Sequence, residues 1–383
     1  MANERLFLLP RVNLFGQGVS KQVGNQLREL GSKKAMLVTD AGLHRMGLSE
    51  EIADIIRSAG VEVVIYPKAE PNPTDKNVHE GAELFKQENC DALVSLGGGS
   101  SHDATKGIGI VVSNGGQIQD YQTRDATKPS IPHIAVTTTA GTGSETTSLA
   151  VITDTARKIK MPIVDNQMTP TIAIIDPLLM LKKPRLLTIA TGMDVLSHAI
   201  EAYVSTDAQP ITDALAIHAI KLVRKYLPRA VANGDDIEAR EQMAYAQHIA
   251  GVAFINGGLG LVHSISHAVG GVYNLQHGIL NSVIMPHVVR YNTLARAERI
   301  AEIAELLGEN TEGLSVSEAA DRAVAALQRI NRDFDIPRGF KEMGVKEEDI
   351  ELLATNALND PCTKQNPRKP THEDLVQLIS DAM

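Results

Sequence analysis

The chain has 383 residues, of which 43% are hydrophobic and 22% charged, a composition typical of a folded protein of about two domains. Its net charge of −9 includes no basic block, and aromatic residues make up only 3% with no tryptophan, which argues against a nucleic-acid partner and favours a small-molecule substrate. Cys90 and Cys362 are too few for a disulfide framework, and no apolar run approaches membrane-spanning length, so we expect a cytoplasmic protein with no membrane partner.

The first half of the chain alternates short β-rich runs with amphipathic segments. This alternation is typical of βαβ units and of a parallel sheet. It predicts an α/β domain, Rossmann-like and able to bind a dinucleotide, over residues 1–185. The predicted strands are 33–40, 61–67, 91–100, 131–144 and 170–177, and the predicted helices are 48–60, 77–89 and 101–112.

Beyond Pro184 the pattern changes to long helical periodicity with few β-branched runs. Residues 210–232, 237–254 and 315–334 are the clearest examples. We therefore predict an all-helical, metal-binding domain over residues 186–383. No low-complexity linker separates the halves, so we expect the two domains to pack directly with a ligand cleft between them.

Two loops rich in glycine and hydroxyl side chains each follow a predicted strand. Residues 96–100 (LGGGS) precede a predicted helix, where backbone N–H groups and the helix dipole favour a bound anion. Residues 137–144 (TTTAGTGS) form the second loop. Asp40 ends a predicted strand, from which a carboxylate can accept hydrogen bonds from ribose hydroxyls and repel a 2′-phosphate. Each feature is also explained by an ordinary turn, but together they predict NAD binding.

One carboxylate and four histidines lie between residues 188 and 277 at spacings that suit a divalent metal. Asp194 and His198 stand at i and i+4 in a helical run, as do His263 and His267, and such residues share one helix face. His277 follows in what we interpret as a turn flanked by glycine. Three nitrogens and one oxygen suit Fe(II) or Zn(II). Spacing alone leaves open which histidines bind, since His263 and His267 could both be ligands with His277 elsewhere.

These motifs resemble the iron-containing, or group III, alcohol dehydrogenases. The likeness runs from end to end and is closest to the branch containing NAD-dependent methanol dehydrogenase, propanediol dehydrogenase and lactaldehyde reductase. The motifs that carry it include SLGGGSSHDATKGI, TTAGTGSE, KMPIVD, ATGMDVLSHAIEAY, GLGLVHSISH, HGILNS and NPR near the C-terminus. So many matches by chance are implausible.

The resemblance implies a role for particular residues. Its metal ligands correspond to Asp194, His198, His263 and His277, and its catalytic residue near the nicotinamide and the reacting oxygen corresponds to His267. The residues that would contact the cofactor are Asp40, Asn72, Gly97, Gly98, Gly99, Ser100, Asp103, Thr138, Thr139, Thr142, Thr147, Lys160 and Leu181.

The resemblance also implies hydride transfer between NAD(H) and a short-chain primary alcohol or aldehyde, in a homodimer or larger homo-oligomer. The divalent metal would be Fe(II), with Zn(II) or Mg(II) as alternatives, acting as a Lewis acid. A second interpretation is a reductase for a polar or anionic aldehyde such as lactaldehyde, glycolaldehyde or sulfoacetaldehyde. A glycerol-dehydrogenase-like enzyme and a catalytically silent NAD- and metal-binding protein are the remaining alternatives.

The second interpretation rests on polar residues in segments that differ from relatives. Gln276 directly precedes a histidine of the candidate metal site. The cations in these segments are Lys182, Lys183, Arg185, Lys364 and Arg368. If one of them reached the substrate pocket, a charge-assisted hydrogen bond would favour an anionic or hydroxylated aldehyde.

Overall fold

The computed structural model describes residues 6–181 and 183–383. The chain divides into two compact units, Met1–Leu181 and Lys182–Met383. The sequence pattern predicts the boundary between residues 185 and 186, and that boundary stays a prediction. The carbonyl of Lys183 accepts a hydrogen bond from the buried Arg240 of the second unit.

A six-stranded parallel sheet forms the centre of the first unit. Its strand order is β1-β8-β5-β4-β2-β3, and a two-stranded antiparallel hairpin, β6–β7, accompanies it. The strands are β1 Val12–Phe15, β2 Lys34–Thr39, β3 Glu62–Tyr66, β4 Ala92–Gly97, β5 His133–Thr137, β6 Leu149–Asp154, β7 Ile159–Val164 and β8 Ile172–Ile175. The central strands are buried on both faces, which explains their continuous apolar sequences.

Helices and the hairpin cover the sheet on both faces. Ala35 and Leu37 of β2 face a core shared with α1 and α3, whereas Met36 and Val38 face a second core shared with α4, α5 and the hairpin. The helices of this unit are α1 Val23–Glu29, α2 Ala41–Arg45, α3 Leu48–Ser58, α4 Asp75–Gln87 and α5 Gly99–Asn114. The sequence pattern predicts neither β1 nor the hairpin, whose β6 strand is buried only at alternate residues.

The strand order reverses direction between β2 and β4. After β2 the chain moves outward to β3 at the edge, and it then returns to the opposite side of β2 to form β4. In open parallel sheets, ligands bind beyond the carboxyl ends of the strands at such a reversal. Asp40 follows β2 and residues 98–101 follow β4, so both lie at this point.

The second unit contains only helices among its described residues. They are α6 Arg185–Val204, α7 Pro210–Ala232, α8 Ile237–Gly257, α9 Leu261–Tyr273, α10 His277–Leu306, α11 Val316–Asp333, α12 Ile350–Leu358 and α13 His372–Asp381. Helix α6 is buried almost all round from Thr188 to Val204, as expected of a central helix. No single described helix is long and apolar enough to cross a bilayer, and only the pair α8 and α9, bent by 101°, satisfies length and composition together.

Candidate functional site

Three helices of the second unit bring the candidate metal ligands together. Asp194 and His198 lie one turn apart on α6, His263 lies on α9, and His277 is the first residue of α10. The Oδ1 atom of Asp194 lies 3.8 Å from Nε2 of His198, 3.8 Å from Nε2 of His263 and 3.7 Å from Nε2 of His277. These separations are too long for hydrogen bonds. They are close to the roughly 3.5 Å between atoms that share one ion at bonds of about 2.1 Å.

His277 begins a helix rather than lying in a turn, which corrects the interpretation from sequence. Asn274, in the left-handed conformation at φ 52°, ends α9, and the short connection that follows leads directly into α10. Gly278 then packs against the backbone of α6: a Cβ atom at this position would lie 1.9 Å from the carbonyl oxygen of Ala190. Only glycine allows this approach, which brings His277 beside Asp194.

The four side chains are not equally close. Asp194, His263 and His277 offer ligand atoms that all lie within 4.8 Å of one another. The Nε2 atom of His198 faces the same oxygen of Asp194. Its ring stacks between those of Phe254 and His263, whose centroids are 4.4 Å and 4.6 Å away. Its buried Nδ1 has no hydrogen-bond partner among the described residues. His198 therefore contacts the Asp194 oxygen but is not within 4.8 Å of all three other ligand atoms.

Two further polar residues support this cluster, and the sequence analysis missed both. Glu201, two turns after Asp194 on α6, lies with Oε2 2.5 Å from Nδ1 of His263 and accepts the N–H of Val262 at 2.6 Å. A carboxylate on the far nitrogen of a metal-binding histidine orients the ring and fixes its tautomer. Asn281, one turn after His277, donates to Oδ1 of Asp194 at 2.8 Å. A buried acid on the same face as His198 was the available signal for Glu201.

The electrostatics of the cluster favour a cation. Burial raises the pKa of Asp194, but the surrounding histidines lower it further, so the carboxyl is ionised. Burial lowers the pKa of His198 to about 3, which leaves that ring neutral. Burial also lowers the pKa of His263, but the Glu201 and Asp194 carboxylates more than offset it and raise it to about 9. Two buried carboxylates thus hold positive charge here, and a divalent ion fits that requirement.

His267 lies beside this cluster without joining it. Its ring stacks on His277 with centroids 5.4 Å apart, and its Nδ1 lies 2.9 Å from Oδ2 of Asp360. Its side chain is 26% exposed, whereas that of His263 is 2% exposed. The two histidines of α9 therefore have different surroundings.

The candidate cofactor loops of the first unit interlock through their glycines. A Cβ atom at Gly97 (φ 152°) would lie 2.3 Å from Oγ of Ser101. Cβ atoms at Gly98 and Gly99 would each lie 2.9 Å from the nearest side-chain atoms of Thr139 and Thr142. The glycines are thus explained by close packing of the two loops. The same packing leaves the N-terminus of α5, a 16-residue helix, next to the strand reversal.

Several predicted cofactor contacts also hold the first unit together. Asp40 caps α2, since its Oδ1 accepts the N–H groups of Gly42 and Leu43 at 2.7 and 2.9 Å. Asp103 accepts hydrogen bonds from Ser144 Oγ at 2.6 Å and from the N–H of Val151 at 3.0 Å. Asp40 therefore keeps one oxygen outside its cap, whereas both oxygens of Asp103 are engaged.

Lys106, which the sequence analysis did not single out, completes the network around Asp103. Its buried ammonium donates to Ser144, to Thr147 at 3.0 Å and to the carbonyl of Leu149 at 2.7 Å. Burial lowers its pKa to about 8. Thr147 is thus the acceptor of a structural hydrogen bond as well as a predicted cofactor contact.

The other predicted contacts lie in several different segments of the first unit. Ser100 donates to the carbonyl of Pro71 at 2.5 Å, next to Asn72 in the segment between β3 and α4. The N–H of Thr138 donates to the carbonyl of Gly97 at 2.8 Å. Lys160 lies on β7, where burial lowers its pKa. Leu181 ends the first unit.

Two of the cations that suggested an anionic substrate, Arg185 and Arg368, contact other side chains. Arg185 pairs with Asp335 at 3.2 Å. Arg368 lies over the ring of Tyr291, 3.8 Å from its centroid, and 3.7 Å from a carboxylate oxygen of Asp374. Lys364 and Gln276 are exposed, and Lys182 lies outside the described residues. These surroundings give the anionic-substrate interpretation no specific support.

Comparison with known proteins identifies the family. Residues 10–177 match the iron-containing alcohol dehydrogenase family, and residues 188–383 match the C-terminal part of the Fe-containing alcohol dehydrogenase family. The chain is 65% identical to NAD-dependent methanol dehydrogenase of Bacillus methanolicus over 98% of this chain and 99% of that protein. It is 47% identical to 1,3-propanediol dehydrogenase of Citrobacter freundii over 98% of each chain. A solved 1,3-propanediol oxidoreductase superposes with a TM-score of 0.97 at 46% identity over 100% of both chains. The chain therefore belongs to the iron-containing alcohol dehydrogenase family, whose α/β and helical halves it reproduces, and is an enzyme of alcohol and aldehyde oxidoreduction.

Proposed function

We propose that the chain transfers hydride between NAD(H) and a short-chain primary alcohol or its aldehyde, with a divalent metal held by Asp194, His198, His263 and His277. The observation that carries this proposal is the convergence of three imidazole Nε2 atoms on one buried carboxylate oxygen at 3.7–3.8 Å. Family membership and the NAD-dependent relative support the same reaction.

The donor set favours Fe(II) or Zn(II) over Mg(II). Imidazole suits iron and zinc, whereas Mg(II) prefers oxygen ligands. When bound, the ion supplies Lewis acidity toward the alcohol or carbonyl oxygen. Asp194 contributes the anionic ligand, Asn281 holds that carboxylate by a hydrogen bond, and Glu201 holds the ring of His263. We propose Fe(II) as the native ion because the matching family is iron-containing.

The first unit would bind NAD along the edge where the strand order reverses. We propose that the pyrophosphate lies at the N-terminus of α5, where no side chain caps the first turn and the backbone N–H groups and helix dipole favour an anion. The free oxygen of Asp40 would accept hydrogen bonds from the adenosine ribose and disfavour a 2′-phosphate. The remaining contacts would come from Asn72, Ser100, Asp103, Thr138, Thr139, Thr142, Thr147, Lys160 and Leu181, and bound NAD supplies the hydride acceptor.

His267 is the residue we propose for moving the proton. It is the partly exposed histidine beside the cluster, and its Nδ1 is already engaged by Asp360. An imidazole ring can both accept and donate a proton, which suits a group that takes a proton from an alcohol and returns it when an aldehyde is reduced. Its ring stacks on His277, so it lies next to the proposed ion.

A substrate panel with NADH tests the proposal. The protein would be prepared without oxygen with Fe(II), and in parallel with Zn(II) and Mg(II), and assayed with propanal, butanal, lactaldehyde, glycolaldehyde and sulfoacetaldehyde. We expect the alkyl aldehydes to give the highest kcat/KM with Fe(II). Preference for a charged or hydroxylated aldehyde, lost at high salt, would instead support the second interpretation. No NADH oxidation with any aldehyde and any metal would leave a protein that only binds NAD and metal.

The cellular context is also proposed. We expect a homodimer or larger homo-oligomer in the cytoplasm, with no nucleic-acid or membrane partner. Light scattering of the purified protein and fractionation of the source cells measure these two properties.

A further inference from the structure

Asp360 lies where several hydrogen-bond donors of the helical unit converge. It precedes the short helix Pro361–Gln365 and is 12% exposed at its side chain. Its Oδ2 faces Nδ1 of His267 at 2.9 Å. Its Oδ1 accepts the N–H of Cys362 at 2.9 Å and lies 3.4 Å from the hydroxyl of Ser264. The two oxygens therefore serve different groups.

The protonation state of Asp360 fixes which partner donates. Burial raises its pKa, but the interactions with His267 and Cys362 lower it further, to about 2. An ionised carboxylate has no hydrogen to donate, so Nδ1 of His267 must carry the hydrogen of this bond. In the neutral ring, Nε2 is then the nitrogen with a free lone pair, which is what a proton acceptor needs.

The neighbouring histidine on α9 has the same type of partner. His263 Nδ1 bonds to Glu201, and its Nε2 faces Asp194. His267, one turn later, bonds through Nδ1 to Asp360 and stacks on His277. Each imidazole on this face of α9 is thus oriented through Nδ1 by a carboxylate from another element of the same unit.

We infer that Asp360 is a positioning residue that holds His267 as the Nδ1–H tautomer and leaves Nε2 to exchange the substrate proton. This inference rests on the proposed function, in which His267 moves that proton. Asp360 itself touches neither substrate nor cofactor in this role. Removing its charge should therefore lower kcat and leave both KM and metal content unchanged.

If Asp360 acted only as a helix cap, Asp360→Asn would leave kcat unchanged. Asn caps helices as well as Asp, so the cap on Cys362 would survive. With its oxygen on the N–H of Cys362, however, the Asn amide would turn its NH₂ toward His267 and impose the Nε2–H tautomer. In a serine-protease triad this same exchange lowers kcat about 10⁴-fold through the wrong tautomer.

The experiment compares Asp360→Asn with Asp236→Asn, an exchange at the N-cap of α8 in the same unit. For Asp360→Asn we expect kcat to fall at least about 100-fold, with KM within threefold of the unchanged protein and with unchanged Tm and bound metal. The Asp236→Asn control should keep kcat. A kcat for Asp360→Asn within threefold of the unchanged protein would overturn the inference. If Asp360→Asn does not fold, Asp360→Ser keeps a capping oxygen and should lose kcat in the same way.

A second measurement does not depend on turnover. Nitrogen NMR of the protein labelled only at histidine, with the His267 signals assigned by their loss in His267→Gln, reports the tautomer directly. We expect Nδ1–H in the unchanged protein and Nε2–H in Asp360→Asn. An Nε2–H tautomer in the unchanged protein would contradict the inference. Failure of the proposed function would look different, because the unchanged protein would not oxidise NADH while the tautomer would still follow residue 360.

Discussion

Two histidine clusters, one in each unit, place their ring nitrogens against different partners. In the first unit, Oγ of Ser95 lies 2.6 Å from Nδ1 of His102 and 2.7 Å from Nε2 of His133. In the second unit, three Nε2 atoms surround a carboxylate oxygen of Asp194 at 3.7–3.8 Å. Histidines that reach a hydroxyl at hydrogen-bond distance hold a core together. Histidines that face an acid at longer distance leave room for an ion.

The two clusters also differ in the charge of the groups that surround the histidines. Burial lowers the pKa of His102 to about 4 and that of His133 well below its usual value, so both rings are neutral beside a neutral serine. In the second unit, Asp194 and Glu201 bring two buried negative charges to the histidines. Buried charge is costly unless it is compensated. The carboxylate of Glu145 also lies near His102, but the buried ammonium of Lys106 interacts with that carboxylate and compensates its charge. It is therefore the second cluster whose negative charge a bound cation would compensate.

The largest effect should come from removing a proposed ligand. Replacing Asp194, His263 or His277 by Ala should abolish most metal binding and lower activity at least about 1,000-fold, because the ion supplies the Lewis acidity. His267→Ala should lose rate but keep metal, and His133→Gln, in the other cluster, should keep both. Elemental analysis of each purified variant measures this. Stoichiometric metal in His277→Ala together with loss of metal in His267→Ala would reassign the ligands to the two histidines of α9.

Acid should lower the free energy of unfolding through the neutral histidines of the first cluster, His102 and His133. Their folded pKa values lie below the unfolded value of about 6.5, so the unfolded chain binds more protons between pH 6.5 and about 4. Stability is therefore complete above pH 6.5 and falls as the pH drops, by about 1.4 kcal/mol per pH unit for each histidine. Urea unfolding at pH 7, 6 and 5 measures the slope. His133→Gln should flatten it, and an unchanged slope in that variant would assign the acid sensitivity to other groups.

Glu201→Gln should weaken metal binding without abolishing it. Loss of the carboxylate behind a metal-binding histidine typically costs 10- to 100-fold in affinity. Competition with a chelator measures the Kd, and Glu238→Gln, an exposed acid at the start of α8, is the matched control. Equal affinity in Glu201→Gln and the unchanged protein would mean that His263 is held by packing alone.

The smallest effect concerns the choice of cofactor at Asp40. Because Asp40 also caps α2, Asp40→Ser is a cleaner variant than Asp40→Gly, since serine retains a capping oxygen. We expect the unchanged protein to prefer NADH. In Asp40→Ser the ratio of kcat/KM with NADH to kcat/KM with NADPH should fall about tenfold, because a like-charge repulsion of about 1.4 kcal/mol is lost. The ratio of kcat/KM values for the two cofactors measures this. Equal use of both cofactors by the unchanged protein would place the Asp40 carboxylate away from the ribose.

Much of this molecule was predictable from sequence because the informative patterns are local. The alternation of strands and helices, the change to helical periodicity near residue 185 and the family motifs gave the fold class, the family and the reaction class, all of which are confirmed. The ligand set stays a prediction. The i, i+4 spacing of Asp194 and His198 places both side chains on one helix face, which already narrowed the choice of candidate ligands.

What the sequence did not reveal depends on contacts between distant segments. Glu201 and His263 are 62 positions apart, and Asp360 and His267 are 93 positions apart. Neither pair has a local pattern that joins it. The start of α10 at His277 was missed for a similar reason, because the glycine after it was read as part of a turn, whereas it serves a contact with Ala190 of α6.

That contact between Gly278 and Ala190 has a consequence for redesigning the enzyme. The backbones of α6 and α10 contact each other at Ala190 and Gly278, and even a methyl group at residue 278 would collide with the carbonyl oxygen of Ala190. Directed-evolution libraries aimed at new alcohols should therefore leave this glycine unvaried and diversify side chains elsewhere. The variants could then differ in substrate specificity, while the distance between Asp194 and His277 stays the same in all of them.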